Sequence, residues 1–498
     1  MASTRLQARA FGALASLALC AGAVGQSLER QLRDVLGDSK LGNAQVGVCV
    51  VDVATGDLLA TINEKQSLVP ASNLKLLTSG AALWTLGKDF EFRTRLLKVG
   101  DTLVISASGD PGFAEPRLLE EMNISVGTFV DRLADAVRKA GVSGLREVVI
   151  DDRVFDKQWV HPSWPEDQLN RWYAAEVSGL MFHGNLLQVF ATAATRPGPS
   201  PVPRTEPSAP WLEVASAAQT VATGSTALWA VRDPAATFRY KLLGSIRTTP
   251  AEPVEVATHD SGMIFARLLA DRLAAAGLMA PGAAGLPRYA GPEESLEAGE
   301  VLVVVRTPIA RVLKRCNADS YNLYAEALLK RTGREVSGQG GSWANGATVV
   351  RMLASEKLGH DAGELIMADG SGLSRENRVS AHLMASWLGA LARDPLTRDA
   401  FIESLASPGE GTLSKRFRDK DRLTGEVAAK SGFINGVQCL SGYVTQPDGH
   451  RAAFSILVNN TGQVAPGGSA KEFHEKVVRQ IDKWMDRNKA AAKPRMGG

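Results

Sequence analysis

Three short stretches set a hydroxyl beside a cation or an amide. Ser72-Asn73-Leu74-Lys75 places a serine and a lysine three residues apart where an apolar helical pattern, Leu74 to Leu86, begins. On a helix that spacing puts both side chains on one face, one turn apart. A serine hydroxyl is a poor nucleophile until a neighbour takes its proton, and a neutral lysine amine can do so. The start of a helix also offers backbone N–H groups and the positive end of its dipole to a developing oxyanion. Ser320-Tyr321-Asn322 adds a hydroxyl and an amide that can face one cleft from a tight loop. Lys430-Ser431-Gly432 adds a lysine, a hydroxyl and a position with no side chain, where a substrate backbone can approach an edge strand. Taken singly, each stretch reads better as ordinary structure: a capping serine with a solvated lysine, a capping pair, a surface turn.

The elements that must hold these residues are legible around them. Gln45 to Val53 reads as a Val-rich strand interrupted by Gly47, Ala54-Thr55-Gly56-Asp57 as a turn, and Leu58 to Ile62 as a second strand. Ser320 falls between a strand at Val301 to Arg306 and a helix at Leu323 to Leu329. Gly442 to Thr445 and Ala452 to Val458 form a hairpin across Pro447-Asp448-Gly449. Phe473, Val477, Ile481, Trp484 and Met485 recur at helical spacing and predict an amphipathic final helix. Between about 96 and 295 the texture changes to short Val- and Leu-rich strands broken by Gly and Pro, with an extended proline-rich loop from Pro197 to Pro210. Strands and helices at both ends around a β-rich centre predict one domain split by an insertion. The expected division is 26–95 plus 296–487 for the split domain, 96–295 for the insertion, and a frayed tail at 488–498.

Composition narrows the class. The chain has 498 residues, 45% hydrophobic and 22% charged, which suits a globular protein and excludes disordered, collagen-like and coiled-coil chains. A formal charge of +3 gives no electrostatic footprint for nucleic acid. Arg5 and Arg9, the apolar run Phe11 to Val24 and the small residues Ala23-Val24-Gly25 read as a signal peptide cleaved after Gly25. The mature chain is then exported, with no transmembrane segment. Cys49, Cys316 and Cys439 survive processing, so at least one is unpaired within a monomer. Seven scattered histidines and the lack of C-x-x-C leave no metal ligand set, and no G-x-S-x-G elbow occurs. No cofactor is expected.

Read together, S-x-x-K, S-x-N and K-S-G stand in the order of the active-site serine penicillin-recognising enzymes. The flanks resemble one branch, the class C low-molecular-mass penicillin-binding proteins. Segments that look like this branch are Pro70-Ala71-Ser72-Asn73-Leu74-Lys75-Leu76, Gly109-Asp110-Pro111, Asn322-Leu323-Tyr324-Ala325-Glu326, Asp369-Gly370-Ser371-Gly372-Leu373-Ser374-Arg375 and Leu440-Ser441-Gly442-Tyr443-Val444. The gap of 248 residues between Ser72 and Ser320 fits its inserted domain. Tyr321 stands where Asp is common, and Ser431 where Thr is common.

The resemblance implies an α/β (α+β) fold, a serine β-lactamase-like transpeptidase domain whose antiparallel sheet is flanked by helices, carrying a large β-rich insertion. It implies a D-Ala-D-Ala carboxypeptidase or endopeptidase acting on peptidoglycan stem peptides in the periplasm or cell envelope, with β-lactams as inhibitors. Ser72 would be the nucleophile, Lys75 its base, Ser320 and Asn322 the proton relay and orienting amide. Lys430 and Ser431 would hold the substrate carboxylate, and the N–H groups of Ser72 and Phe433, beside Gly432, would bind the oxyanion. Which of Lys75 and Ser320 moves the proton first stays open. Asp369 and Arg375 read as a structural turn, and Trp159, Trp164, Trp172 and Tyr173 as aromatic core. Rival readings are a β-lactamase-like or esterase hydrolase, and a catalytically silent peptidoglycan-binding module.

Overall fold

A computed structural model describes residues 28–283, 286–296, 298–359, 362–418 and 423–488. The signal peptide expected at 1–25 and the tail from 489 onward lie outside the described residues.

After a helical stretch at 28–38, the chain runs through β1 (Gln45–Asp52), β2 (Leu58–Ile62) and α1 (Leu74–Leu86). β3 (Glu91–Val99), β4 (Thr102–Ser106), α2 (Val126–Lys139) and β5 (Glu147–Asp151) follow. Seven further strands then lead to α3 (Ser261–Ala275), β6 (Arg288–Tyr289) and β7 (Glu300–Pro308). Next come α4 (Ile309–Asn317), α5 (Asn322–Ser337) and α6 (Ala381–Arg393). β8 (Glu426–Ile434), β9 (Val437–Thr445), β10 (Arg451–Asn459) and α7 (Ala470–Arg487) end it. No helix among the described residues is long and apolar enough to cross a membrane.

Two compact units result. The first takes the described parts of Met1–Lys88, Leu313–Ser320 and Thr348–Gly498. Its antiparallel sheet has the order β8-β9-β10-β1-β2, so the first strand pairs with the last, Gln45 opposite Asn459. β1 explains its own composition. Val46, Val48 and Val50 belong to the core shared with Leu28, Leu32 and the α7 residues Phe473, Val477 and Ile481. On the other face, a Cβ at Gly47 would meet Ala381 of α6, and Val51 lies against Gly389 of the same helix. A strand covered on both faces carries an almost unbroken apolar run.

The second unit takes Asp89–Val312 and Tyr321–Ala347. Its main sheet is ordered β6-β5-β4-β3-β7, with β4 and β5 parallel and bridged by α2. α2 and α3 supply Val130, Leu133, Ile264 and Phe265 to the core beneath it. Smaller sheets of three and four strands lie between Leu186 and Ala257.

These boundaries differ from the sequence-based 96 and 295. β3 pairs antiparallel with β7, from Glu91 opposite Pro308 to Lys98 opposite Glu300, so both ends of the insertion are sewn into its own sheet. The chain also returns to this unit for α5, beyond the expected 295. α4 is a further addition, lying between the expected strand and Ser320.

Candidate active site

Ser72 sits in a 3-10 turn, Ala71–Asn73, that leads straight into α1. The N-cap of α1 is Asn73 rather than Ser72, contrary to the ordinary reading of a capping serine at this place. The preceding Ala71 holds φ at 45°, a left-handed conformation costly for a residue with a Cβ and found where a site imposes it. Lys75 follows within the first turn of α1 and is fully buried. Its Nζ lies 3.2 Å from Ser72 Oγ and donates to the Ser371 carbonyl at 2.8 Å.

The loop Asp369–Arg375 holds this arrangement from behind. Asp369 is buried, and its carboxylate accepts from Gly372 N at 2.9 Å, Ser374 N at 2.7 Å and Asn377 Nδ2 at 2.9 Å. It is a structural turn, and Arg375 donates to the carbonyl of Asn435. Thr78 Oγ1 of α1 donates to the Gly370 carbonyl at 2.7 Å. Gly372, at φ +84°, passes so close to the serine turn that a Cβ there would lie 1.9 Å from the Ala71 carbonyl oxygen.

β8 brings the third motif to the same turn. A Cβ at Gly432 would stand 3.0 Å from the Pro70 carbonyl oxygen and from Asn73 Oδ1, so a side chain there would push strand and turn apart by a few tenths of an ångström. Lys430 is fully buried and donates to the Ser431 carbonyl at 2.7 Å. Burial, and then the charge of Lys75, hold its ammonium well below the usual lysine range. Ser431 is half-buried, and Phe433 is 70% exposed. A cavity of about 570 Å³ opens along this strand, lined by Ser431, Gly432, Phe433, Thr412, Cys439 and His474. His474 is buried with neither ring nitrogen hydrogen-bonded among the described residues.

The second motif is divided. Ser320 ends a segment of the first unit, with φ at 65°, and follows Asp319, which pairs with Arg315 at 2.6 Å. Asn322 begins α5 in the second unit, where its Nδ2 donates to the Tyr173 carbonyl at 2.7 Å. Tyr321 packs on Trp172, ring centroids 5.0 Å apart. The Trp172–Tyr173 segment thus braces this motif, while Trp164 is buried core.

One positioning residue was missed from sequence. Asn73 is fully buried and its Nδ2 donates to Ser441 Oγ at 2.6 Å, tying the serine turn to β9. Its only sequence signal is a polar residue in an apolar helix start. Cys49, Cys316 and Cys439 are all buried, and none forms a disulfide among the described residues.

The profile described as the D-Ala-D-Ala carboxypeptidase 3 (S13) family matches residues 28–484. The D-alanyl-D-alanine carboxypeptidase of an Actinomadura species is 32% identical over 483 residues, covering 92% of this chain and 85% of that protein. The D-alanyl-D-alanine carboxypeptidase DacB of Haemophilus influenzae is 24% identical over 432 residues, covering 84% of this chain and 85% of its own length. The crystal structure of penicillin binding protein 4 from Haemophilus influenzae has the same fold, with a TM-score of 0.71 at 22% identity, covering 92% of this chain and 98% of that one. A second crystal structure of that protein, complexed with a novel β-lactam, matches with a TM-score of 0.65 at 22% identity and the same coverage.

Proposed function

The chain belongs to the D-Ala-D-Ala carboxypeptidase 3 (S13) family and is a low-molecular-mass penicillin-binding protein; from that premise we propose that it cleaves the terminal D-Ala-D-Ala bond of peptidoglycan stem peptides through an acyl-enzyme on Ser72. The observation that carries the assignment is the Ser72 Oγ to Lys75 Nζ distance of 3.2 Å, with the lysine wholly buried at the start of α1.

In the reacting form the neutral amine of Lys75 takes the Ser72 proton as Oγ attacks the carbonyl carbon. The tetrahedral oxyanion is stabilised by the N–H groups of Ser72 and Phe433. The C–N bond then breaks, the terminal D-alanine leaves as an amine with the transferred proton, and water hydrolyses the ester. Ser320 and Asn322 take the proton-relay and amide-orienting roles on the strength of the S-x-N resemblance. An endopeptidase cleavage would use the same acyl-enzyme.

Lys430 and Ser431 hold the substrate's terminal carboxylate. The electrostatics of the first unit support this role, because two buried lysines sit close enough that Lys75 disfavours charge on Lys430. An arriving carboxylate offsets that repulsion and favours the charged amine. A β-lactam, which carries a carboxylate beside a strained amide, acylates the same serine. The basic, apolar and small-residue pattern of residues 5–25 supports action in the periplasm or cell envelope after export.

Labelled penicillin followed by peptide mapping tests the proposal. The adduct is expected on Ser72 and absent from Ser72→Ala. A label on Ser320, or folded protein that takes none, would contradict it. Rapid release of the label would favour the β-lactamase reading.

A further inference from the structure

A cavity within the second unit has no residue in common with the serine site. It encloses about 910 Å³ and is lined by six arginines, Arg93, Arg95, Arg153, Arg306, Arg331 and Arg334. Four carboxylates also line it, too few to match them.

The arginines come from one sheet face and one helix. Arg93 and Arg95 are alternate residues of β3, so both point to the same side, roughly 6.5–7 Å apart. Arg306 of β7 stands directly opposite Arg93, and Ser106 of β4 opposite Arg95. Arg331 and Arg334 are one turn apart on α5.

Their charges are unevenly answered. Arg153 pairs with Asp151, and Arg331 with Glu335, each at 2.8 Å. Glu91 is shared, lying 3.2 Å from Arg93 and 3.3 Å from Arg306. Among the described residues Arg95 has only the Ser106 hydroxyl, and Arg334 only a backbone carbonyl. Ser108, also on the wall, has a buried hydroxyl without a hydrogen-bond partner. Arginine, unlike lysine, presents a planar fork that matches a carboxylate. Glu91 shows how one is held, bridging two strands.

We propose that this groove is a second binding site, which holds a carboxylate-bearing peptide segment of the peptidoglycan polymer. The inference rests on the proposed function for the identity of the polymer, and on the arginine array for the site. A low-affinity hold on the polymer would raise the effective concentration of the stem peptides around the enzyme.

The test is co-sedimentation of the full protein with purified peptidoglycan over a range of salt. The variant R93S/R95S/R306S removes three exposed side chains, and R132S/R138S/K139S on α2 removes the same charge elsewhere. Thermal melting confirms that both fold. The groove variant should bind roughly tenfold more weakly and with a shallower salt dependence. The α2 variant should pellet like the wild type. Polyglutamate should compete with the wild type better than polyphosphate of equal charge. Equal pelleting of all three proteins, or equal loss in both variants, would overturn the groove. Stronger competition by polyphosphate would overturn the carboxylate assignment. Hydrolysis of a short D-Ala-D-Ala peptide by the wild type is measured separately. Its absence would count against the proposed function, and the pelleting comparison would still report on the groove.

Discussion

Gly372→Ala tests whether the loop behind the serine turn sets the geometry of the nucleophile. At φ +84° an alanine costs about 1 kcal/mol in backbone strain. The larger effect is steric. The new Cβ would lie 1.9 Å from the Ala71 carbonyl oxygen, 2.5 Å from its carbon and 3.2 Å from Ser72 N. All three are backbone atoms, so no side chain can swing away. Ordinary van der Waals contact requires one backbone to give by at least about 1 Å, at roughly 1–3 kcal/mol for overpacking. The summed loss is about 2–4 kcal/mol. Because the displaced turn carries Ser72 itself, a shift of that size should slow acylation about 100-fold. The assay is the rate of covalent labelling by penicillin, with thermal melting alongside. Gly449→Ala is the control: it has φ +88° but nothing within 4 Å of the added Cβ, so only the strain of about 1 kcal/mol applies. Labelling at the wild-type rate in Gly372→Ala would refute the argument, since the clash could then be absorbed without moving Ser72.

Two further outcomes follow from the first unit. Lys430→Ala should lower turnover of carboxylate-terminated peptides by about 10- to 150-fold, the value of a charge-assisted contact of about 1.5–3 kcal/mol, and spare amidated ones. Equal losses on both substrates would contradict the carboxylate role. His474 is held well below the usual imidazole range by burial and then by Arg416, so the unfolded chain takes up a proton that the fold refuses. Stability should therefore fall as pH drops below about 6.5, and less so in His474→Phe, as measured by denaturant unfolding at pH 7 and pH 5. Parallel pH profiles would remove His474 as the cause.

What could be read in advance was local. The helix Leu74–Leu86 and the strand Leu58–Ile62 match their sequence ranges because apolar spacing and turn residues mark both ends. The three motifs were visible because each is a tripeptide or tetrapeptide, and their order is a one-dimensional property. α4 was not, since nine residues give too short a window to separate a helix from a linker. Nor could the pattern of α5 say against which unit it packs, and this moved the domain boundaries. The buried link from Asn73 to Ser441 joins residues 368 positions apart, and the approach of Gly372 to Ala71 is similarly distant in the chain. Local periodicity carries no information about either.

The pairing of β1 with β10 has a consequence for how the molecule is made. β1 is an interior strand of its sheet, yet one of its two neighbours is the last strand of the chain. At about 5–20 residues per second, synthesis leaves β1 without that partner for on the order of tens of seconds. Throughout that time its apolar sequence, Val46 to Val51, has an open edge and one uncovered face. The second unit is continuous from Asp89 to Val312 and can begin to collapse earlier, whereas the sheet of the first unit closes only when the C-terminal strands arrive. Truncations near Asn459 should therefore yield aggregated protein rather than a weakened enzyme, with the damage originating at the opposite end of the sequence.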